Sequence, residues 1–154
     1  MKKLFLSLPF FLLTVLSCPA QSELLQVGAA SVDMTPTVFP IQLRSGKSNY
    51  VHDPLHVRAV AFQRGEGRAV ICLIDAIGIG RDMSDLAKAR AAEKTGWKPE
   101  EMLICATHTH TAPKGGEGTP GKEAYEKLKH EKLEEAIVKA IQSLQPARVG
   151  FGSD

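Results

Sequence analysis

Two apolar runs with a helix-forming stretch between them set the tightest limit on how this chain can fold. Ala69-Val70-Ile71-Cys72-Leu73-Ile74-Asp75 is a nearly unbroken apolar run suited to the centre of a sheet, and residues 102–106 form a second, shorter one. Between them come a break at Gly78-Ile79-Gly80 and helix formers over residues 81–95, with Asp82 as the candidate cap. Gly96 then stops the helix and Pro99-Glu100-Glu101 leads into the second run. A strand that crosses over through a helix to a neighbour in the same sheet runs parallel to it. The expected class is α/β.

The remaining segments extend that sheet. Residues 24–34 read as a strand containing Gly28 and ended by Thr35-Pro36, and residues 37–54 read as a long loop rich in Gly, Ser, Asn and Pro. Residues 55–62 form a strand that turns at Gly65-Glu66-Gly67 into the central run, an antiparallel hairpin. Over residues 122–144 the apolar positions Tyr125, Leu128, Leu133, Ile137, Ala140, Ile141 and Leu144 suit one long amphipathic helix, and residues 147–150 look like the start of a further strand. The architecture expected is a mixed β-sheet with two main helices and no internal repeat.

The N-terminus predicts export. Met1-Lys2-Lys3 is a basic head, residues 4–16 are apolar and small, and Ser17-Cys18-Pro19-Ala20-Gln21 supplies small residues for cleavage, so residues 1–20 read as a signal peptide and residues 24–154 as the domain. Cleavage after Ala20 gives a secreted or periplasmic protein. Thr14-Val15-Leu16-Ser17-Cys18 also resembles a bacterial lipobox, the alternative being a lipoprotein anchored through Cys18. Outside the cytoplasm Cys72 and Cys105 pair if their strands are neighbours, or else stay as buried thiols. With 154 residues, 44% of them hydrophobic, and a net charge of +2, the chain has the make-up of an ordinary globular domain and no nucleic-acid footprint. Three cysteines without a C-x-x-C pair exclude a zinc ribbon.

Chemistry concentrates at Thr107-His108-Thr109-His110-Thr111, where the second apolar run hands over to a polar, glycine-rich loop. If the backbone is still extended there, His108 and His110 project to one side, and Thr107, Thr109 and Thr111 to the other. Neutral imidazole is a common zinc ligand, and two on one side can share an ion; the competing reading is two solvated loop histidines. A catalytic zinc takes three protein ligands and an open position, so further donors are required. Asp75, at the end of its run, is a candidate ligand or a partner to an imidazole N–H, or simply a carboxylate capping a loop. His56 reads as a satisfied or exposed strand histidine and His130 as a solvated one on a charged helix. Gly116 to Lys122 mimics G-x-x-x-x-G-K, but Glu123 stands where Ser or Thr must hold magnesium, so no nucleotide is expected. With no G-x-S-x-G elbow, hydrolysis by metal-activated water is the chemistry most compatible with these residues.

Four blocks carry a family resemblance. Val27-Gly28-Ala29-Ala30-Ser31-Val32-Asp33-Met34-Thr35-Pro36, Asp53-Pro54-Leu55-His56-Val57-Arg58-Ala59, Leu73-Ile74-Asp75-Ala76-Ile77-Gly78 and Ala106-Thr107-His108-Thr109-His110-Thr111-Ala112-Pro113 stand in the order and spacing of the N-terminal domain of neutral/alkaline non-lysosomal ceramidases. The resemblance implies a zinc-dependent (Zn2+) hydrolase that cleaves the amide of N-acylsphingosine (ceramide) to sphingosine and a fatty acid. It implies His108 as a metal ligand and His110 as a catalytic pocket residue, or the two roles exchanged. It also implies a ceramide-like lipid substrate and, for access to it, association with a membrane surface. Thr111-Ala112-Pro113 departs from the Ser-Gly-Pro common in the family and looks like bacterial relatives. The family's other metal ligands, a second histidine, a glutamate and a tyrosine, lie far downstream, so the chain to Asp154 alone is expected to hold zinc weakly and not to turn over. Two rival readings remain: an exported metal-dependent amidase or esterase on another substrate, and a non-catalytic exported binding domain.

Overall fold

The computed structural model describes residues 24–113 and 120–152. The proposed signal peptide and the glycine-rich stretch 114–119 lie outside them. Five strands form a mixed sheet in the order β6-β5-β4-β1-β7, where β1 is Gln26–Asp33, β4 His56–Arg64, β5 Gly67–Ile74, β6 Met102–Ala106 and β7 Gln145–Pro146. A small hairpin, β2 (Ile41–Leu43) with β3 (Gly46–Ser48), stands apart from it. Two helices, α1 (Arg81–Thr95) and α2 (Pro120–Gln142), complete the α/β fold.

The strand–helix–strand crossover is as expected. β5 and β6 are parallel, with Cys72 opposite Ile104 and Ile74 opposite Ala106, and β4 and β5 form the antiparallel hairpin. α1 ends as its sequence predicts, Gly96 adopting φ 72 and donating its N–H to Ala92 O at 2.8 Å. Its start differs: Gly80 is the N-cap and makes no side-chain cap, while Asp82 sits in the first turn, where a negative charge favours the helix dipole. Two further expectations are corrected. The 37–54 loop contains the β2–β3 hairpin, and the final strand is residues 145–146 rather than 147–150, because only Gln26 and Val27 of β1 offer it partners.

One face of the sheet carries the core. Val32, Val57, Ala59, Val70, Cys72, Ile74, Met102 and Ile104 alternate onto it and are buried against the helices, chiefly by Tyr125, Leu133, Ala136, Ile137 and Ala140 of α2. Gly28 makes this packing possible: a Cβ there would lie 2.0 Å from Ala140 O. α1 docks alongside α2, where Lys94 pairs with Glu134. On the opposite face Ile71, Leu73 and Leu103 remain exposed.

The same alternation separates the two thiols. Cys72 faces the helices, whereas Cys105, one position out of register on the neighbouring strand, faces the other way, so both are free. His130 also departs from expectation: it is half-buried and, among the described residues, its Nδ1 has no hydrogen-bond partner. Among the described residues no helix is long and apolar enough to cross a membrane.

Candidate functional site

The site grows from the carboxyl ends of the parallel pair, where side chains in an α/β sheet reach solvent. β6 stops at Ala106, and the following residues remain laced to the end of β5 by backbone bonds: Thr107 N–H donates to Ile74 O and Thr109 N–H to Ala76 O, each at 3.0 Å. Between these anchors His108 takes φ 61, a left-handed conformation uncommon for a residue with a side chain. The extended backbone expected through the histidines is therefore corrected to a bend. Strand geometry would hold positions i and i+2 about 6.6 Å apart. With the bend, the imidazoles of His108 and His110 meet edge to face with ring centroids 4.8 Å apart.

His108 is fixed at its inner nitrogen. Nδ1–H donates to Ile77 O at 2.8 Å, and since a carbonyl only accepts, the proton sits on Nδ1 and Nε2 keeps its lone pair in the neutral ring. That is the arrangement in which a backbone carbonyl orients a metal-binding histidine. The threonines hold the bend from the other side. The hydroxyls of Thr107 and Thr109 are 2.7 Å apart, and Thr107 Oγ1–H reaches Asp75 Oδ1 at 3.3 Å.

Asp75 is the hub of this support. Its Oδ2 accepts from His56 N–H at 2.9 Å and from Arg58 Nη1–H at 3.0 Å, and Arg58 Nη2–H also donates to His56 Nδ1 at 3.2 Å. Its recorded partners are thus the β4 backbone, a guanidinium and a threonine, and the structure does not make it a partner of either imidazole. His56 is half-buried and satisfied by Arg58, as a strand histidine should be.

Beside the loop lies a cleft of about 580 Å3. Its lining includes the apolar Phe39, Ile41, Leu43, Val51 and Leu55 and the polar Asp75, Thr109 and Thr111. The β2–β3 hairpin contributes Ile41, Leu43 and Ser48, and the segment that carries it is closed where Met34 N–H donates to Leu55 O at 2.7 Å and Leu55 N–H to Thr35 Oγ1 at 3.0 Å. His52 and Asp53 also line this cleft, with Nδ1 and Oδ2 at 2.9 Å. The sequence reading passed over His52. Its signal was local, a histidine beside an aspartate in a loop of the kind that carries function.

Two imidazoles fit a zinc ion as part of a donor set. Zinc–nitrogen bonds of about 2.0–2.1 Å let one ion touch rings this close, and with Nδ1 held by Ile77 O, Nε2 is the nitrogen of His108 left to face a metal. Among the described residues no group of three or more His, Cys, Asp and Glu side chains could hold a metal.

No family model matches the sequence, and no curated protein matches it. Solved structures do match. A neutral ceramidase from Pseudomonas aeruginosa superposes with a TM-score of 0.69 over 80% of this chain at 20% identity. A second structure, a ceramidase complexed with C2, gives 0.62 over 80% of the chain at 19% identity. In each case the match spans 22% of the solved chain. By its fold, therefore, this α/β chain is the counterpart of about a fifth of a neutral ceramidase.

Proposed function

We propose that the chain forms part of an exported zinc-dependent amide hydrolase acting on ceramide-like lipids. The observation that carries this reading is the tie from His108 Nδ1 to Ile77 O, which leaves Nε2 available beside the His110 ring, on a fold shared with neutral ceramidase. His108 would hold the metal. His110 would complete the chelate or stand against the substrate at the edge of the cleft, whose lining takes Thr109 and Thr111 from this loop and neither imidazole. The chemistry a bound zinc ion supplies is acidification of water to near neutrality and polarisation of the scissile carbonyl.

The chain's own residues perform the positioning. Arg58 and Asp75 hold Thr107, Thr107 meets Thr109, and the two threonine N–H groups clamp the bend from which both imidazoles project. The adjoining cleft offers apolar side chains to alkyl chains and threonine hydroxyls to the polar head of a lipid. A substrate of this kind resides in membranes, so access to it calls for contact with a membrane surface. Because two histidines fall short of three protein ligands, the residues described bind zinc weakly and do not turn over by themselves.

The test is metal content and ceramide hydrolysis of the full-length protein, before and after His108→Asn. Stoichiometric zinc and chelator-sensitive hydrolysis, both lost in the variant, are expected. Hydrolysis that survives the substitution sinks the reading.

A further inference from the structure

The His52–Asp53 pair has no part in that mechanism, yet it lines the cleft with a defined chemical polarity. A carboxylate can only accept, so the bond between His52 Nδ1 and Asp53 Oδ2, 2.9 Å long, places the proton on Nδ1. Nε2 of the neutral ring is then a hydrogen-bond acceptor. Both side chains are 85% exposed, and a solvent-exposed pair of this kind contributes little to stability. The fold therefore does not depend on it, and its orienting effect on the imidazole can serve whatever enters the cleft.

The same cleft is apolar along Phe39, Ile41, Leu43 and Leu55. An occupant that satisfies both kinds of lining carries an alkyl chain and a hydrogen-bond donor. A free fatty acid fails the second condition, because its carboxylate has no proton to give to His52 Nε2 and would meet Asp53 with like charge. A hydroxylated amphiphile meets both. We propose that His52, oriented by Asp53, is a specificity-determining residue that accepts a hydrogen bond from a head-group hydroxyl of an amphiphilic amide bound in this cleft. The inference rests on the lipid-amide reading for the identity of the ligand, but it concerns binding and can be measured without turnover.

The experiment uses full-length protein carrying His108→Asn, which removes turnover under the mechanism above. Two probes are titrated: a medium-chain N-acyl amino alcohol and its deoxy analogue lacking the single hydroxyl. The hydroxylated probe should bind roughly 3- to 10-fold more tightly, the size of one net hydrogen bond. In His52→Leu that ratio should fall to about one while the deoxy probe keeps its affinity, a pattern that general loosening of the cleft would not produce. Asp53→Asn should fall between the two. Equal binding of both probes to the parent, a preference that survives His52→Leu, or failure of either probe to bind overturns the proposal. Hydrolysis is followed separately with His108 intact. Discrimination without hydrolysis overturns the hydrolase reading alone, and hydrolysis without discrimination overturns the role of His52 alone.

Discussion

His108 and His110 lie with ring centroids 4.8 Å apart although neither belongs to a strand, and the bend that brings them together is at His108, φ 61. The contact follows from how the loop is tethered. Thr107 and Thr109 donate backbone N–H groups to Ile74, the last residue of β5, and to Ala76 just beyond it, which leaves the intervening residue to absorb the change of direction. A constraint of this kind separates what the imidazole does from what the backbone requires, and it can be tested on each count.

Asparagine tolerates the left-handed region, whereas a β-branched residue does not. His108→Asn should therefore keep the fold and lose zinc, while His108→Val should lose zinc and also cost about 1–2 kcal/mol of stability. Metal analysis with urea denaturation of both variants separates the two effects. Equal stability of the variants would show that the bend imposes no demand.

Asp75 joins Arg58 on β4 to the hydroxyl of Thr107. Asp75→Asn keeps the shape but removes the charge. It should cost about 1 kcal/mol, discounted because Arg58 is half exposed, and weaken zinc binding several-fold through the loosened loop. Competition with a chromophoric chelator measures the latter. Unchanged zinc affinity would confine Asp75 to a structural part.

Gly28 lies against α2, and an added Cβ would come 2.0 Å from Ala140 O and 2.8 Å from Leu144 N. Both atoms belong to backbone, which cannot swing aside. Gly28→Ala should destabilise the fold by about 1–3 kcal/mol, lowering Tm by roughly 3–10 °C, as followed by circular dichroism. A Tm within a degree of the parent's would mean that the helix shifts freely on the sheet.

Burial pushes the Cys72 thiol up to about 12, with Cys105 adding to the effect, against an ordinary value of 9.0. The folded state thus prefers the neutral thiol while the unfolded chain ionises sooner. Stability from this group is intact below about pH 9 and declines by roughly 1.4 kcal/mol per pH unit as the pH rises toward 12. Burial raises Tyr125 as well, and the loss has the same sign at still higher pH. Denaturant midpoints at pH 7, 9 and 10 should show a decline above pH 9 that Cys72→Val flattens, and at neutral pH a thiol reagent should label half-buried Cys105 well before Cys72.

The segments legible in sequence were those whose pattern is local. The apolar run of β5 marks a strand, the helix formers of α1 and their Gly96 stop mark a helix and its end, and the spacing from Tyr125 to Ile141 marks the buried face of α2; the structure has these elements, although the continuous run of β5 hides that Ile71 and Leu73 face outward. What went unread depends on partners distant in the chain. Ile41–Leu43 and Gly46–Ser48 are each three residues, too short for an alternation signal, and the half-burial of His130 on a charged helix depends on what packs beside it.

The sequence by itself determined the α/β class, the parallel crossover and the identity of the two candidate metal-binding imidazoles, because hydrophobic periodicity and residue chemistry are properties of a continuous stretch. Only the tertiary structure decided how those imidazoles are held. The left-handed turn at His108, the grip of Ile77 on its Nδ1, the Arg58–Asp75–Thr107 support and the cleft containing His52 all arise where strands distant in sequence end side by side. Hydrogen bonds between residues about 20 to 30 positions apart leave no periodic trace in either partner's neighbourhood, so the geometry of the site had to be seen in the fold.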